Sequence, residues 1–486
     1  MFDLESLTIK KEATVLFCYG LGSGEIYNLI EPWIDDSKRV ICIEDDDNQM
    51  SYEREHAQVE VHFLETPLGM KPLLKKLLWD TVFLECDFIC LKDSPHFEEE
   101  ARHLSEGIHF TMSDYADYGL SIFSNLFQNA KAHTKISLLK DLKNQFKGIP
   151  AYVVGAGPSL KEEILKLKNS GALIFAGGSA LNALSHANVK PHFAATIDKD
   201  APFSTFKFSD VSEVPFFYQM RALSENISSV HSSSMILAPS SGGYPLEEWV
   251  MKELGISSQP IDAGWNVATF LTKVAHYLGC YPINLVGVDL ASDQERSYAD
   301  GTNMLENKEM SIVVKNRQGH DVLTQRDWLF SAAWYREFNV KYPGVLYQTS
   351  SSGIDLGFKS IDMKSHQKID NLDDHILAVL TQLPKYEINQ QQPLLLLKKS
   401  LLFIDLLLKD KLADFEDHYE EKTLPEEYLS DFEGELFYDK HLTYMWEIFR
   451  PVFKRELKFK DKSVEETLHK LLFYSQITQE FIQKLA

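Results

Sequence analysis

The sequence predicts an α/β protein with a Rossmann-like N-terminal domain, a central doubly wound domain on a mostly parallel sheet, and a C-terminal α-helical region. Three observations predict it. Short apolar runs at 151–154, 173–176, 193–197, 214–218, 235–238, 283–288 and 345–348 alternate mostly with helix-length segments, which is the rhythm of parallel strands joined by crossover helices. Glycine turns follow several of these runs directly. Beyond about Ile369 the strand signals fade, and segments rich in Leu, Lys and Glu continue to Ala486.

A chain of 486 residues exceeds one ordinary domain and suits two or three cores of roughly 100 to 200 residues each. Its formal net charge of −22 argues against a nucleic-acid groove or an anionic membrane as the main partner, since both need positive surface. The five cysteines, Cys18, Cys42, Cys86, Cys90 and Cys280, lie in or near strand-like runs without CxxC spacing. They read as buried, reduced thiols, which points to the cytoplasm. The start, MFDLESLTIKKEA, lacks the basic and apolar segments of a signal peptide. Lys398, Lys399 and Asp405 interrupt the most membrane-like run, Pro393 to Leu408, which therefore reads as a core helix.

In chain order, an apolar strand at Thr14 to Cys18 leads to YGLGSGEIYNLI, a second apolar run at Arg39 to Ile43, and then Glu44. This is the order of a Rossmann-like half, in which an acid about 20 residues past the glycines can meet a ribose. Gly20, Gly22 and Gly24 lack the third glycine at its usual offset, so a ligand site and a purely structural turn both fit. From Asp117 to Lys147 the apolar spacing of Ile122, Phe123, Leu126, Phe127 and Ala130 is helical, and Gly148 with Ile149-Pro150 supplies a stop. The expected layout is 1–116, a linking helix at 117–148, a central domain at 149–368 and a helical region at 369–486 with a break at Asn389 to Pro393.

In such sheets ligands bind beyond the carboxyl ends of strands, so the residues after each run are the candidates. After AYVV comes GAGPSLKEEI, where Gly155 and Gly157 permit close backbone approach and Pro158 and Ser159 start a helix whose free amides suit a phosphate. After LIFA comes GGSALNAL, where Gly178 gives a second turn and Ser179 and Asn182 suit a base or ribose, or a cap and a solvent-facing side chain. FAATI ends in Asp198, which can accept from ribose hydroxyls or hold Mg²⁺ through water. Ser241 and Gly242 in PSSGGYP, Gly264 and Asn266 in DAGWNVATF, and Ser351 in TSSSG stand at further junctions and join the nucleotide-binding set. Asp289 ends INLVGVD, and Tyr298 follows in SYADG, where a phenol can donate to a leaving group. His320, in a loop before Asp321, is the one histidine in this neighbourhood considered as a base.

The ordered set GAGPSL, GGSALNAL, PHFAATIDKD, SSGGYP, GWNVATF, LVGVDLA and QTSSSG resembles the motility-associated-factor (Maf) family of flagellin glycosyltransferases, whose three-part layout also matches. The central domain is similar to bacterial sialyltransferases, in which a GxGPSL turn, a GVDL-like strand end and a following SYA segment bind a CMP-activated nonulosonic acid. The resemblance implies a cytoplasmic transferase that takes a CMP-linked nonulosonic acid, needs no cofactor, and modifies Ser or Thr of a protein such as flagellin. It places phosphate on Gly155, Gly157 and Ser159, the nucleoside on Ser179, Asn182 and Asp198, and the leaving group on Asp289 and Tyr298. Those sialyltransferases carry a histidine just before the final helix, where this chain has Thr324, Gln325, Arg326 and Asp327, so the base is unassigned. The central domain also resembles 6-hydroxymethyl-dihydropterin pyrophosphokinases, under which Asp198 and Asp289 would organise Mg²⁺ for ATP. A non-catalytic assembly protein on the same fold is the third expectation.

Overall fold

The computed structural model describes residues 9–66, 69–81, 84–94, 96–200, 214–230, 232, 234–240, 245–256, 260–292, 312–350, 352–361, 371–421, 428–456 and 463–485. The chain forms two compact units, one from 1–119 with 401–484 and one from 120–400.

In the first unit, β1 (Val15–Tyr19), α1 (Glu25–Ile30), β2 (Arg39–Glu44), α2 (Asp47–Met50), β3 (Val59–Phe63), α3 (Met70–Asp80) and β4 (Cys86–Cys90) build a parallel sheet of order β3-β2-β1-β4. That is the Rossmann order, and its core is Leu16, Cys18, Ile26, Ile30, Val40, Cys42 and Ile89. All five cysteines are free thiols, and burial pushes the Cys86 and Cys280 thiols up to about 12.

The helix expected over 117–147 is one part of a longer helix, α4 (Phe97–Ala132). It ends earlier than the spacing suggested because β5 (Lys135–Leu138) and a short 3-10 turn (Leu139–Leu142) follow it. The second unit continues with β6 (Ala151–Val154), α5 (Leu160–Glu163), β7 (Leu173–Gly177), α6 (Ser179–His186), β8 (Phe193–Thr196), β9 (Phe216–Tyr218), α7 (Ser224–Ser229), β10 (Met235–Leu237), α8 (Pro245–Glu253), α9 (Val267–Tyr277) and β11 (Ile283–Val286). A hairpin, β12 (Ile312–Lys315) and β13 (Asp321–Thr324), precedes α10 (Arg326–Lys341), β14 (Leu346–Gln348), α11 (Leu372–Thr381) and β15 (Tyr386–Glu387).

All seven apolar runs of the central region are strands of one nine-stranded sheet, ordered β14-β11-β6-β7-β8-β9-β10-β5-β15, in which only the edge strand β15 is antiparallel. Both faces are apolar because helices cover both. Val153, Phe175, Phe193 and Phe217 pack with Phe270 and Val274 of α9 and Tyr335 of α10, while Tyr152, Ile174, Ala194 and Phe216 pack with Leu160 and with Leu181 and Leu184 of α6.

The last helices are α12 (Gln391–Glu421), α13 (Thr443–Glu456) and α14 (Ser463–Leu485). The C-terminal region is mostly helical, and its residues from Leu401 onward belong to the same compact unit as the N-terminal sheet. The join is made by α13 on α3, where Trp79 Nε1 donates to the Glu447 carbonyl at 3.0 Å and Arg450 pairs with Asp80. Among the described residues, no helix is long and apolar enough to cross a membrane.

Candidate functional site

The central sheet runs outward from β6 through β7, β8, β9 and β10, then returns to β11 on the other side of β6, so its strand order reverses between β6 and β11. Open α/β sheets bind ligands at the carboxyl edge beside such a reversal. At this one, the turn after β6 and the turn after β11 are pressed together backbone on backbone. Gly155 N donates to the Val286 carbonyl and Gly157 N to the Gly287 carbonyl, each at 2.8 Å. A Cβ on Gly155 would sit 2.5 Å from the Gly287 oxygen, and one on Gly157 would sit 2.5 Å from Asp289 Oδ2. The space these glycines leave is therefore filled by the chain itself.

The anion held by this turn is Asp289. Its Oδ2 accepts from Ser159 N at 2.8 Å and its Oδ1 from Ser159 Oγ at 2.7 Å. The element after Pro158 is a single turn, α5, followed by 3-10 helix at Ile164–Asn169, rather than the regular helix expected to offer free amides. The loop after β14 closes the third side, where a Cβ on Gly353 would lie 2.7 Å from Asp289 Cα and Ile354 N donates to the Asp289 carbonyl at 2.9 Å. Thr349 Oγ1 donates to Glu163; burial pushes that carboxyl up, Thr349 and Lys166 oppose this, and Asp289 adds to it.

One crossover further, the turn after β7 has a different finish. Gly178 adopts φ 52° and ψ −135°, a conformation that favours glycine, and Ser179 opens α6 with Asn182 buried on its first turn. Asp198 follows β8, and its Oδ2 lies 3.9 Å from where a Gly178 Cβ would be. No described side chain or amide donates to the Asp198 carboxylate. Loss of water pushes this half-buried carboxyl up to about 6, Asp200 adds to the shift, and Lys199 and Arg221 oppose it.

Helix α4 fixes the backbone around Asp198. Asn125 Nδ2 donates to the carbonyls of Lys199 at 2.8 Å and Arg221 at 3.2 Å, and Asn129 Nδ2 donates to Met220 at 2.8 Å and Ala222 at 2.7 Å. Leu223 N donates to the Asp198 carbonyl at 2.9 Å. At the same ends of β8 and β9, the buried Thr196 Oγ1, Tyr218 hydroxyl and Gln219 Nε2 have no hydrogen-bond partner among the described residues. Thr196 and Tyr218 are register partners, so they share one face of the sheet. Orphaned buried polar groups cost about 1–3 kcal/mol each and commonly mark places where water or a ligand completes the structure.

Arg221 was not among the candidates read from sequence. Its signal was a cation three residues past a strand end, at YQMRA, in a strongly acidic chain. Its Nε donates to Gln219 Oε1 at 3.2 Å, its charge lowers the pKa of both Asp198 and Glu247, and burial holds the Glu247 carboxyl above its ordinary range against that attraction.

Other sequence candidates have structural partners. Asn266 caps α9, its Oδ1 accepting from Ala268 N and Thr269 N at 3.0 Å each and its Nδ2 donating to Ser331 Oγ at 2.7 Å. Gly264 leaves room for that cap, since a Cβ there would lie 2.5 Å from Thr269 Oγ1. His320 is exposed in the turn of the β12–β13 hairpin, with its amide donating to Asn316 Oδ1 at 2.9 Å. Thr324 Oγ1 donates to the Leu290 carbonyl at 2.7 Å and Gln325 Nε2 to Asp327 Oδ2 at 3.0 Å, so the segment where sialyltransferases carry a histidine is used in anchoring the hairpin and starting α10. Ser241, Gly242, Tyr298 and Ser351 lie outside the described residues.

The N-terminal glycine turn is filled by acids of its own chain. Glu44 is fully buried, accepts from Leu21 N at 2.8 Å and from Asp45 N and Asp46 N at 2.9 Å each, and pairs with Lys92. Glu25 accepts from Ser23 N at the start of α1. The acid expected to meet a ribose is thus the group that ties down the turn.

No group of three or more His, Cys, Asp or Glu side chains among the described residues is placed to hold a metal ion. Asp289 offers no unengaged oxygen pair, and Asp198 is the carboxylate left to meet Mg²⁺, an ion that usually takes one or two carboxylates together with phosphate oxygens.

The fold defines an α/β protein with a mostly parallel central sheet, a Rossmann-like N-terminal sheet and flanking helices. Residues 124–295 match the model of the 6-hydroxymethylpterin diphosphokinase MptE-like family. A solved structure, the Maf glycosyltransferase from Magnetospirillum magneticum AMB-1, superposes with a TM-score of 0.60 at 14% identity, covering 98% of this chain and 80% of its own. No curated protein matches the sequence. The chain is therefore Maf-like in fold over nearly its whole length, and MptE-like in its central domain.

Proposed function

We propose that the chain is a glycosyltransferase that moves a sugar from a nucleotide-activated donor to a protein hydroxyl. The observation that carries this reading is the extent of the fold correspondence: the match to a Maf glycosyltransferase takes in 98% of the chain, whereas the diphosphokinase model accounts for 124–295 alone. The donor is a CMP-linked nonulosonic acid and the acceptor a Ser or Thr hydroxyl, with flagellin the expected protein.

In this reading the nucleoside lies against Gly178, Ser179, Asn182 and Asp198, and the Asp198 carboxylate accepts from ribose hydroxyls. Arg221 faces the leaving phosphate. The acceptor oxygen bonds to the anomeric carbon, the bond from that carbon to the phosphate oxygen breaks, and CMP leaves with the electron pair while the hydroxyl proton passes to a base. A positioned cation stabilises the charge that grows on the phosphate. The turn at Gly155 and Gly157 shapes the neighbouring wall through Asp289 and Ser159.

The family-model match favours one second reading, a diphosphokinase in which Asp198 meets Mg²⁺ on ATP. Calorimetry separates the two. CMP or CTP binding without metal is the result expected for the glycosyltransferase, and ATP binding that requires Mg²⁺, with no response to cytidine nucleotides, would overturn it.

A further inference from the structure

Helix α12 was expected to be a core helix, and only one of its faces is. Leu397, Leu401, Ile404 and Leu408 are buried, while Leu395, Leu396, Leu402, Phe403 and Leu406 are between 41% and 65% exposed. These five lie on one unbroken helix, and single exposed leucines are common, but an apolar stripe of this kind on the outside of a helix is not.

Three of the five, Leu396, Phe403 and Leu406, fall on one line with the spacing of a coiled-coil seam. Leu396, Lys399, Phe403, Leu406, Asp410 and Ala413 are separated alternately by three and four residues, and all six are exposed. Two polar positions, Lys399 and Asp410, interrupt it, and neither makes an ion pair among the described residues. The seam reads the same from both ends in a chemical sense. Laid antiparallel on a second copy about a two-fold axis between Ile404 and Asp405, Leu396 meets Ala413, Lys399 meets Asp410, and Phe403 meets Leu406, each contact occurring twice. In a two-fold interface a patch must complement itself in this way, and opposite charges at two seam positions fix both register and direction.

We propose that the exposed face of α12 is the dimerisation surface of this protein, pairing antiparallel with α12 of a second copy, with the Lys399–Asp410 pairs setting the register. This inference is independent of the reaction proposed above. A charge exchange tests it in the full-length chain. Sedimentation velocity at micromolar concentration should show a species of twice the 55.6 kDa chain mass. Lys399→Asp and Asp410→Lys should each weaken dimerisation on the order of tenfold or more, because each brings like charges together twice. The double variant should restore most of the lost affinity, a recovery that a general loss of folding would not give. Phe403→Glu should yield monomer with unchanged helical circular dichroism. A monomeric wild-type chain, or a dimer that neither single exchange weakens, or a double variant no better than the singles, would overturn the proposal.

Discussion

The turns after β6 and β7 share one sequence grammar, in which glycine and Ser follow a strand and an acid ends a nearby strand. Their finish differs. At the first, Asp289 accepts from both the amide and the hydroxyl of Ser159, and the room left by Gly155 and Gly157 is taken by the backbone of the β11 turn. At the second, Asp198 accepts from no described donor and is held up to about 6 beside Gly178. A glycine turn thus reports where something approaches the backbone closely, without saying what. The half that is electrostatically unfinished among the described residues is the better candidate for the ligand, because folding alone gives no return for a half-buried carboxylate without a donor.

That contrast can be broken in several ways. The largest effect is expected on activity, where Asp198→Ala should slow sugar transfer on the order of 100-fold, about 2.7 kcal/mol, without lowering the thermal midpoint. Release of CMP from a CMP-activated donor measures it, and near-normal turnover would move the site elsewhere. At the first turn the effect should instead fall on folding. Gly155→Ala forces a Cβ against the Gly287 carbonyl and should cost about 2–3 kcal/mol in urea unfolding, and a wild-type midpoint would show that the two loops can part.

Asp289→Asn offers an amide to a partner that already donates, so about 1–2 kcal/mol of stability should be lost. If that variant unfolds like wild type but loses nucleotide binding, Asp289 belongs to the ligand after all. The smallest effect concerns pH. The Asp198 carboxyl titrates near 6 in the folded chain against an ordinary 3.8, so the native state holds the extra proton in between, and stability falls as pH rises from about 4 to about 6. Asp198→Asn removes that loss, and allowing for its partial exposure the variant should be about 1 kcal/mol more stable than wild type near pH 7.5, with the gain vanishing near pH 4. An equal difference at both values would contradict the shifted titration.

The central strands were legible because their apolar runs are buried on both faces, so each stands out from its flanks, and the glycines after several of them marked the carboxyl edge. Positions along the chain say nothing about which loops touch, and so the sequence could not reveal that Asp289 closes on Ser159, a residue 130 positions away. The hairpin at 312–324 was hidden for another reason: its strands alternate polar with apolar only weakly, and Val313 and Leu323 remain exposed. Arg221 is not legible in the sequence because a single cation past a strand end has no motif; only its charge acting on Asp198 and Glu247 gives it meaning. The division of the C-terminal helices was likewise unreadable, since the run of Leu and Lys that forms α12 continues without a break where the two units part.

The central claim is that the nucleotide lies against Asp198 rather than in the Gly155–Ser159 turn. Titration calorimetry of CMP against wild type and Asp198→Ala, without added metal, tests it most directly. CMP should bind the wild type, with a dissociation constant raised on the order of tenfold or more in the variant, as expected for a lost charge-assisted hydrogen bond. Equal affinity for the two proteins would contradict it.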